Sequence, residues 1–296
     1  MPLLYPASTG HTVDDRYSPL VEPNLFAGNV FQPGISFTDK YQLGAAGQIL
    51  VHKPGIGTIT PTAPGADFSD TIVQDSMITI SLDKQFNRSR KMYKVTAASV
   101  AYDAAAAELE TAIQEVKSGW NLQAAKSLIG TVGILVDDNI LTVTDKSTIY
   151  DTIVNSREKL VTANAEPNTL IVSPAAYSKL LKAPEFQRSV TTDDSVIRDA
   201  FVGRVAGLNV YEYSNLDPSA VDGATIAGIT WATADELEYV MYDSNAFSIV
   251  TSVEAIRVVD EPTRFVGSLA QVEIVSGFKL TNPSRALVKI HDASAS

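Results

Sequence analysis

The side chains best suited to acid–base or metal chemistry are few and widely separated in this chain. Histidine occurs only at His11, His52 and His291, and cysteine is absent, which excludes disulfides, thiolate metal sites and cysteine nucleophiles. A metal centre or a Ser–His–Asp triad would require folding to bring these distant histidines together. We therefore expect solvated surface histidines, and we predict no catalytic, cofactor-binding or metal-binding residues.

Adjacent carboxylates form a second candidate set. A glycosidase needs two carboxyl groups that face each other across a cleft, with the pKa of one of them raised. Neighbours in sequence do not give that geometry, and roles in turns or helix caps explain them well. Gly55-Ile56-Gly57 lacks the third glycine of a nucleotide-binding loop and is predicted to be a turn. The carboxylate pairs are Asp14-Asp15, Asp137-Asp138, Asp193-Asp194 and Asp260-Glu261.

Composition indicates a globular protein without a nucleic-acid-binding surface. The 296 residues are 45% hydrophobic and 19% charged, and the formal charge is −11. Binding to phosphates needs clustered Lys and Arg, whereas an acidic wall can enclose nucleic acid without holding it. No apolar run approaches the roughly 20 residues of a membrane span, and residues 1–10 lack the basic and apolar regions of a signal peptide. We expect a protein that is made and used in the cytoplasm and has no membrane partner.

The central prediction is one long helix from Ala97 to Ile129, capped by Thr96 and ended by Gly130. Its apolar residues recur every three or four positions and form one stripe, with four charged residues off the stripe. At about 1.5 Å per residue the rod would be roughly 50 Å long, so part of it is expected to pack against other chains. The stripe comprises Leu109, Ile113, Val116, Trp120 and Ala124, and the charged residues are Glu108, Glu110, Glu115 and Lys117.

Two segments before this helix cannot build their own core. Residues 1–41 mix aromatics with prolines, so we predict an arm that lies on a neighbouring subunit rather than a floppy tail. Strands at 48–53 and around 78–82 flank a turn-rich loop and predict a long hairpin that needs a packing partner. The basic residues that follow form either a solvated strand edge or, as we favour, a contact with acidic surfaces of other subunits. They are Lys84, Arg88, Arg90, Lys91 and Lys94.

The second half of the chain is predicted to be an α/β domain followed by strands. Its first elements are a helix capped by Ser147 that ends near Ala165, a buried strand at 169–172, a helix opened by Ser173-Pro174, a short helix from Asp193 to Phe201, a turn at 203–207 and a strand at 208–213. Later strands are predicted at 239–242, 247–251, 255–260, 270–279 and 286–290.

This order of elements resembles the major capsid proteins of tailed bacteriophages with the HK97-type fold. Residues 75–80 running to 91–95 (DSMITI to KMYKV) are similar to the return of that family's extended hairpin into its spine helix. Residues 170–177 (LIVSPAAY) resemble the strand and helix of its axial domain, and 203–210 (GRVAGLNV) the turn and strand that close this domain. Residues 275–280 (VSGFKL), before 286–288, are similar to the terminal strands that return to its peripheral domain.

The resemblance covers most of the chain and implies an α+β, HK97-like capsid fold with five segments. These are an N-terminal arm (1–46), an extended hairpin or E-loop (47–94), a peripheral domain with the spine helix (95–146), an α/β axial domain (147–250), and the strands of the peripheral β-platform with the C-terminus (251–296). It also implies a structural, non-enzymatic protein of the virion capsid, assembled in the host bacterial cytoplasm. No motif assigns a covalent Lys–Asn cross-link.

The partners that the resemblance implies are copies of the same chain. Pentamers and hexamers would close an icosahedral shell around double-stranded DNA, which would be contacted non-specifically. Scaffolding, portal and decoration proteins are further implied partners, and a separate scaffolding protein is expected because no coiled-coil extension precedes the arm. Two alternatives stay open: an encapsulin-like shell that encloses cargo enzymes, and a carboxylate-based hydrolase with a deep acidic cleft.

Overall fold

A computed structural model of the protein describes residues 30–38, 40, 48–53, 75–93, 104–137, 146–183, 201–216, 225–226, 229–230, 236–260 and 266–291. Their elements in chain order are β1 (Gln48–Lys53), β2 (Ser76–Ser81), β3 (Lys84–Tyr93), α1 (Ala104–Ile129), β4 (Ile134–Asp137), α2 (Lys146–Thr162), β5 (Thr169–Val172), α3 (Pro174–Leu180), β6 (Phe201–Val205), β7 (Leu208–Glu212), β8 (Thr225–Ile226), β9 (Ile229–Thr230), β10 (Glu236–Tyr242), β11 (Phe247–Asp260), β12 (Gly267–Leu280) and β13 (Ala286–His291), with 3-10 turns at Ser244–Ala246 and Pro283–Arg285.

The long helix α1 ends at Ile129, as predicted, and its described part has 26 residues or a length of about 39 Å. Residues 97–103 and the proposed cap Thr96 lie outside the described residues. At the C-terminal end the Thr131 hydroxyl donates to the Ser127 carbonyl (2.6 Å), which satisfies one of the last free carbonyls. The apolar stripe faces the protein: Val116 and Ala124 are buried, and Leu109, Ile113 and Trp120 are half-buried.

One face of α1 packs on an antiparallel three-stranded sheet with the order β11-β12-β3. The sheet is long because β11 and β12 each have 14 residues and are paired from end to end. The two strands predicted at 247–251 and 255–260 are therefore one strand. A local bulge, seen as a register shift between Thr251 and Val253, interrupts the alternation of apolar and polar residues. This interruption explains why the sequence pattern predicted two strands.

A second, mixed sheet has the order β4-β13-β10-β5-β7-β6, with parallel pairs at β4/β13 and β5/β7. Helices α2 and α3 cover one face through a core that includes Ile153, Leu160, Leu180 and Tyr239. The last strand, β13, lies inside this sheet between β4 and β10 and does not join the three-stranded sheet. The six-stranded sheet thus combines segments from 134–137 to 286–291.

Several details of the α/β prediction need correction. Helix α2 begins at Lys146, so Ser147 lies in its first turn rather than at its cap, and the helix ends at Thr162. Phe201 begins strand β6 instead of ending a helix, and the predicted turn shrinks to Ala206-Gly207. Both of these residues have positive φ (49° and 83°), which is the backbone of a two-residue β-hairpin turn. The helix predicted from Asp193 lies outside the described residues.

The buried strand and the following helix were predicted correctly. β5 spans Thr169–Val172, and all four of its residues are buried, as expected of an inner strand with sheet neighbours on both sides. Helix α3 starts at Pro174, and the Ser173 hydroxyl accepts a hydrogen bond from the Ala176 amide at 3.3 Å. Serine therefore caps this helix and proline occupies its first turn, as the sequence predicted.

Candidate assembly surfaces

One face of the hairpin of β1 and β2 is apolar and packs on the rest of the chain, and the other face is exposed. The strands pair antiparallel from Gln48↔Ser81 to Lys53↔Ser76, which confirms the predicted hairpin in the described residues. Its inner face contributes Val51 and Ile80, which are buried against Val250 of β11. On the outer face Leu50 and Met77 remain 63% and 71% exposed. Two large apolar side chains this exposed on one face are a candidate contact with another protein surface.

The hairpin is seated on the sheet at Gly277 of β12, a residue that the sequence analysis did not single out. A Cβ atom built on Gly277 would overlap the Ser81 carbonyl, and the Ser81 carbonyl carbon would lie only 3.1 Å away. Only glycine therefore lets the backbones of β2 and β12 approach so closely. A glycine inside an otherwise regular strand was the available signal.

Strand β3 and helix α1 are joined by an ion-pair cluster. Arg90 Nη1 donates to Glu108 Oε2 at 2.6 Å and Arg90 Nη2 to Glu115 Oε1 at 2.5 Å. Arg88 Nε donates to the second oxygen of Glu115, also at 2.5 Å. The prediction that this basic group meets other subunits is thus wrong for these two arginines, because their partners lie on the chain's own helix. Glu108 and Glu115 are seven residues apart and lie on the same side of α1, facing the edge strand.

The ion pairs of this cluster shift the pKa values of the groups that form them. Hydrogen bonds from Arg90, with further help from Arg88, hold the pKa of Glu115 below its ordinary value although partial burial opposes this. The hydrogen bond to Glu115 is also the main cause of a raised pKa at Arg90. The side chains of Arg90, Glu108 and Glu115 are 22–26% exposed, so water screens the pairs only in part. The cluster fixes the rotation of α1 on the sheet.

We expect Glu115→Gln to lower the free energy of unfolding at pH 7 by about 1–2 kcal/mol, the usual value of a charge-assisted hydrogen bond that is partly screened. Because the pKa of Glu115 is lowered in the folded state, its contribution is complete above the unfolded pKa and is lost as pH falls through the folded one. Urea unfolding at pH 7 and at about pH 3 should therefore show a difference that shrinks in acid.

Glu110→Gln is the matched control, because Glu110 lies on the exposed side of the same helix. We expect it to change the free energy of unfolding by less than about 0.5 kcal/mol at both pH values. Equal losses for the two variants, or a Glu115→Gln loss that is independent of pH, would contradict a stabilising role for the cluster.

Residues 30–38 were predicted as part of an arm on a neighbouring subunit, and the structure corrects this. Val30, Phe31 and Phe37 are buried in the chain's own core. The ring of Phe31 lies 5.9 Å from that of Phe247, and the ring of Phe37 lies 6.1 Å from that of Trp120. The amide of Thr38 also donates to the Phe247 carbonyl at 2.8 Å. Residues 1–29, 39 and 41–46 of the predicted arm lie outside the described part, and for them the arm remains a prediction.

A polar junction joins the two sheets where the chain crosses between them. Buried Asp243, between β10 and β11, accepts from Arg285 Nη1 at 3.0 Å and from the Asn245 amide at 2.9 Å. The amide of Gly133, between α1 and β4, donates to the Pro283 carbonyl at 2.8 Å, and a Cβ at this glycine would lie 2.6 Å from that oxygen. The crossings are therefore hydrogen-bonded to one another, which couples the orientation of the two sheets.

The side chains considered for chemistry are not brought together where the structure describes them. His52 is exposed in the hairpin, with Nε2 3.0 Å from Asp75 Oδ2, and His291 ends β13. His11, the turn predicted at residues 55–57, Asp14-Asp15 and Asp193-Asp194 lie outside the described residues, as do Asp138 and Glu261 of the other two pairs. Among the residues with a described placement, no group of three or more His, Asp or Glu forms a metal-binding cluster.

No helix in the described ranges is both long and apolar enough to span a membrane. No protein-family model matches the sequence, and no curated protein matches it.

Solved structures, in contrast, match the fold. A structure from Mycobacterium phage Che8 aligns over 95% of this chain and 98% of its own, with a TM-score of 0.69 and 15% identity. The capsid structure of the cyanophage P-SCSP1u aligns over 90% and 91%, with a TM-score of 0.64 and 12% identity. The mature capsid of bacteriophage PhiM1 aligns over 93% and 90%, with a TM-score of 0.60 and 15% identity.

These alignments cover nearly the whole chain on both sides, so they concern the complete architecture and not a shared motif. The mixed helix and sheet fold that the sequence predicts is thereby confirmed as an α+β capsid fold. This chain has the fold of phage capsid structures, and the resemblance to phage capsid proteins noted in its sequence is confirmed at the level of the fold.

Proposed function

We propose that this chain is the major capsid protein of a tailed bacteriophage, with the HK97-type arrangement of domains. In this proposal many copies assemble as pentamers and hexamers into an icosahedral shell that encloses double-stranded DNA. The observation that carries the proposal is the similarity to solved phage capsid structures over nearly the full length of both chains. The protein acts through its surfaces and not through catalysis.

The proposal assigns each element to a domain of the capsid fold. Helix α1 is the spine of a peripheral domain whose platform is the three-stranded sheet, and β1 and β2 are the root of the extended hairpin. The six-stranded sheet with α2 and α3 forms the axial domain. Strand β13 extends that domain into the segment 251–296, which the sequence assigned as a whole to the peripheral domain.

Two surface features support assembly between copies. The outer face of the hairpin exposes Leu50 and Met77, and β11 exposes Ile256 (50%) and Val258 (45%) beside the region that α1 covers. The formal charge of −11 suits a shell whose contacts with packaged DNA are non-specific, because an acidic lining repels phosphates. Scaffolding, portal and decoration proteins are the further partners, and the protein resides in the virion after assembly in the bacterial cytoplasm.

Expression of the chain alone, followed by negative-stain electron microscopy, tests this proposal. We expect closed particles or sheets of rings, or a soluble subunit that forms them once the scaffolding protein is added. Nucleic acid packaged in particles from infected cells would support the phage capsid, whereas an enclosed enzyme would favour an encapsulin-like shell. A monodisperse monomer that stays monomeric with the scaffolding protein would contradict both kinds of shell.

A further inference from the structure

The three-stranded sheet ends on each side in a long strand with one unpaired edge. Its order is β11-β12-β3, so β12 has two neighbours, whereas β11 and β3 each have one among the described residues. Within the same residues, a single bridge between Thr38 and Ser248 adds a contact at the start of β11. Residues 249–260 therefore present backbone N–H and C=O groups that can pair with a strand of another chain.

Strand β11 also has two apolar side chains that helix α1 leaves uncovered. Ile256 of β11 pairs with Val272 of β12, which packs against α1. Residues opposite each other in a sheet point to the same face, so Ile256 lies on the helix side, as does Val258 two positions along. Val272 is buried, but Ile256 and Val258 are 50% and 45% exposed. We call Ile256 and Val258 the β11 strip.

Charge distinguishes the two edges of the sheet. Strand β3 has four basic residues and no acidic one, so a second β3 beside it would bring like charges together, although α1 partly neutralises the two arginines. Strand β11 has charges of both signs, and its strip has none. Two chains that each carry a formal charge of −11 repel least where the facing surfaces are uncharged. The β11 edge is therefore the one suited to a second copy of this chain.

The directions of the strands decide the symmetry of such a contact. Strands β11 and β3 are both antiparallel to β12, so they run in the same direction. Joining β3 of one copy to β11 of the next would add parallel strands without end, which produces an open filament. Joining β11 to β11 about a two-fold axis gives an antiparallel pair and ends the sheet after six strands. Only this second contact is closed, and an icosahedral shell contains two-fold axes.

Two-fold pairing also restricts the register. Opposite residues point to the same face, so one residue of β11 must lie opposite its own copy. If this residue were Arg257, two like charges would face each other directly, which is destabilising. If it is Ile256 or Val258, apolar side chains meet with their Cβ atoms about 4.5–5.5 Å apart. In both of these registers the pairing of the strands also buries the β11 strip.

We propose that two copies of this chain join at their β11 edges about a two-fold axis, with the β11 strips of both copies in one apolar cluster. This inference rests on the proposed function, because it requires the chain to assemble. The two three-stranded sheets become one six-stranded sheet, with both α1 helices on the same side of it. A single strand pair is marginally stable in water, so the contact forms in the assembled particle and not between free subunits.

Single cysteine variants test the two-fold contact, because the natural chain has no cysteine. Assembled particles of Ile256→Cys and of Val258→Cys are treated with a short bismaleimide and analysed by denaturing gel electrophoresis. We expect a covalent dimer from the variant whose residue lies opposite its own copy, which identifies the register. Ser89→Cys is the matched control and should remain monomeric. Ser89 is exposed on β3, and the two β3 strands would be five strand spacings, or roughly 24 Å, apart.

Charge substitutions at the residue that cross-links provide the second test. Ile256→Lys, or Val258→Lys if that residue reacts, should lower the yield of closed particles about tenfold, because two like charges would meet at the axis. The corresponding substitution by Glu should have the same effect. An equal mixture of the Lys and Glu variants should restore much of the yield, since only the mixture brings opposite charges together.

The outcomes separate this contact from the proposed function. Particles that assemble but give only monomers from both Ile256→Cys and Val258→Cys would overturn the two-fold contact and leave the proposed function intact. Dimers from Ser89→Cys would place a two-fold contact at β3 and would also overturn it. A wild-type chain that never assembles, even with its scaffolding protein, would overturn both.

Discussion

Tyr239→Ala should lower the free energy of unfolding of the unassembled subunit by about 3–5 kcal/mol, a large fraction of the stability of an ordinary domain. Tyr239 lies in β10, fully buried, and belongs to the core formed by the six-stranded sheet and its helices. Its ring contributes to the packing against α2, and its hydroxyl lies 2.8 Å from Ser156 Oγ. Truncation would leave a cavity and remove the hydrogen-bond partner of a buried serine.

Tyr239→Phe separates the two contributions, because it keeps the ring and removes only the hydroxyl. We expect it to cost about 1–2 kcal/mol, since Ser156 is 1% exposed and its hydroxyl would lose the Tyr239 hydroxyl as a partner. Urea unfolding of both variants, followed by circular dichroism, measures the difference. A loss below about 1 kcal/mol for Tyr239→Ala would contradict a single core between α2 and the sheet.

Local structure was largely predictable because its causes are local. The 3.6-residue repeat identified α1, the alternation of Ile78 and Ile80 with polar residues identified β2, and Ser173-Pro174 placed the start of α3. Each of these signals acts over a few residues, where periodicity and capping dominate. Errors appeared where a tertiary contact overrides the local signal, as at the bulge in β11.

The sheet topology could not be predicted in the same way. Strand β13 pairs in parallel with β4 and antiparallel with β10, and these segments are far apart in sequence. All three are short and mostly apolar, so their composition indicates burial but contains no information on the order of the strands. Residues 251–296 were assigned to one peripheral unit from their strand content alone. Strand β13 does not fit this assignment, because the pairing of strands is a tertiary property.

The type of a side chain indicates that it needs a charged or apolar partner. It does not indicate whether the same chain or another chain supplies that partner. Arg88, Arg90, Phe31 and Phe37 were all assigned to contacts between subunits, and all four find their partners in the same chain. In the proposed assembly the contacts therefore fall on other surfaces, such as the exposed outer face of the hairpin. The proposed self-association would thus use elements that the core leaves uncovered.

Gly277→Ala should detach the hairpin from the sheet. The added methyl group would overlap the Ser81 carbonyl, a backbone atom that cannot turn aside as a side chain can. The backbones of β2 and β12 must therefore separate, which exposes Ile80 and Val51 and should cost about 1–3 kcal/mol. Because the outer face of the hairpin is one of the proposed contacts between copies, we also expect a severe loss of closed particles in electron micrographs.

Gly119→Ala is the control that isolates this steric effect. Gly119 lies inside α1, and a Cβ there would be 3.8 Å from the ring of Phe86, an ordinary contact distance. Alanine is favoured over glycine in a helix by up to about 1 kcal/mol, so this variant should melt at the same or a higher temperature and assemble normally. If Gly277→Ala also assembled normally, the close contact between β2 and β12 would not position the hairpin. Loss of assembly only in Gly277→Ala, with a folded subunit by circular dichroism, would establish the seat of the hairpin as an assembly determinant.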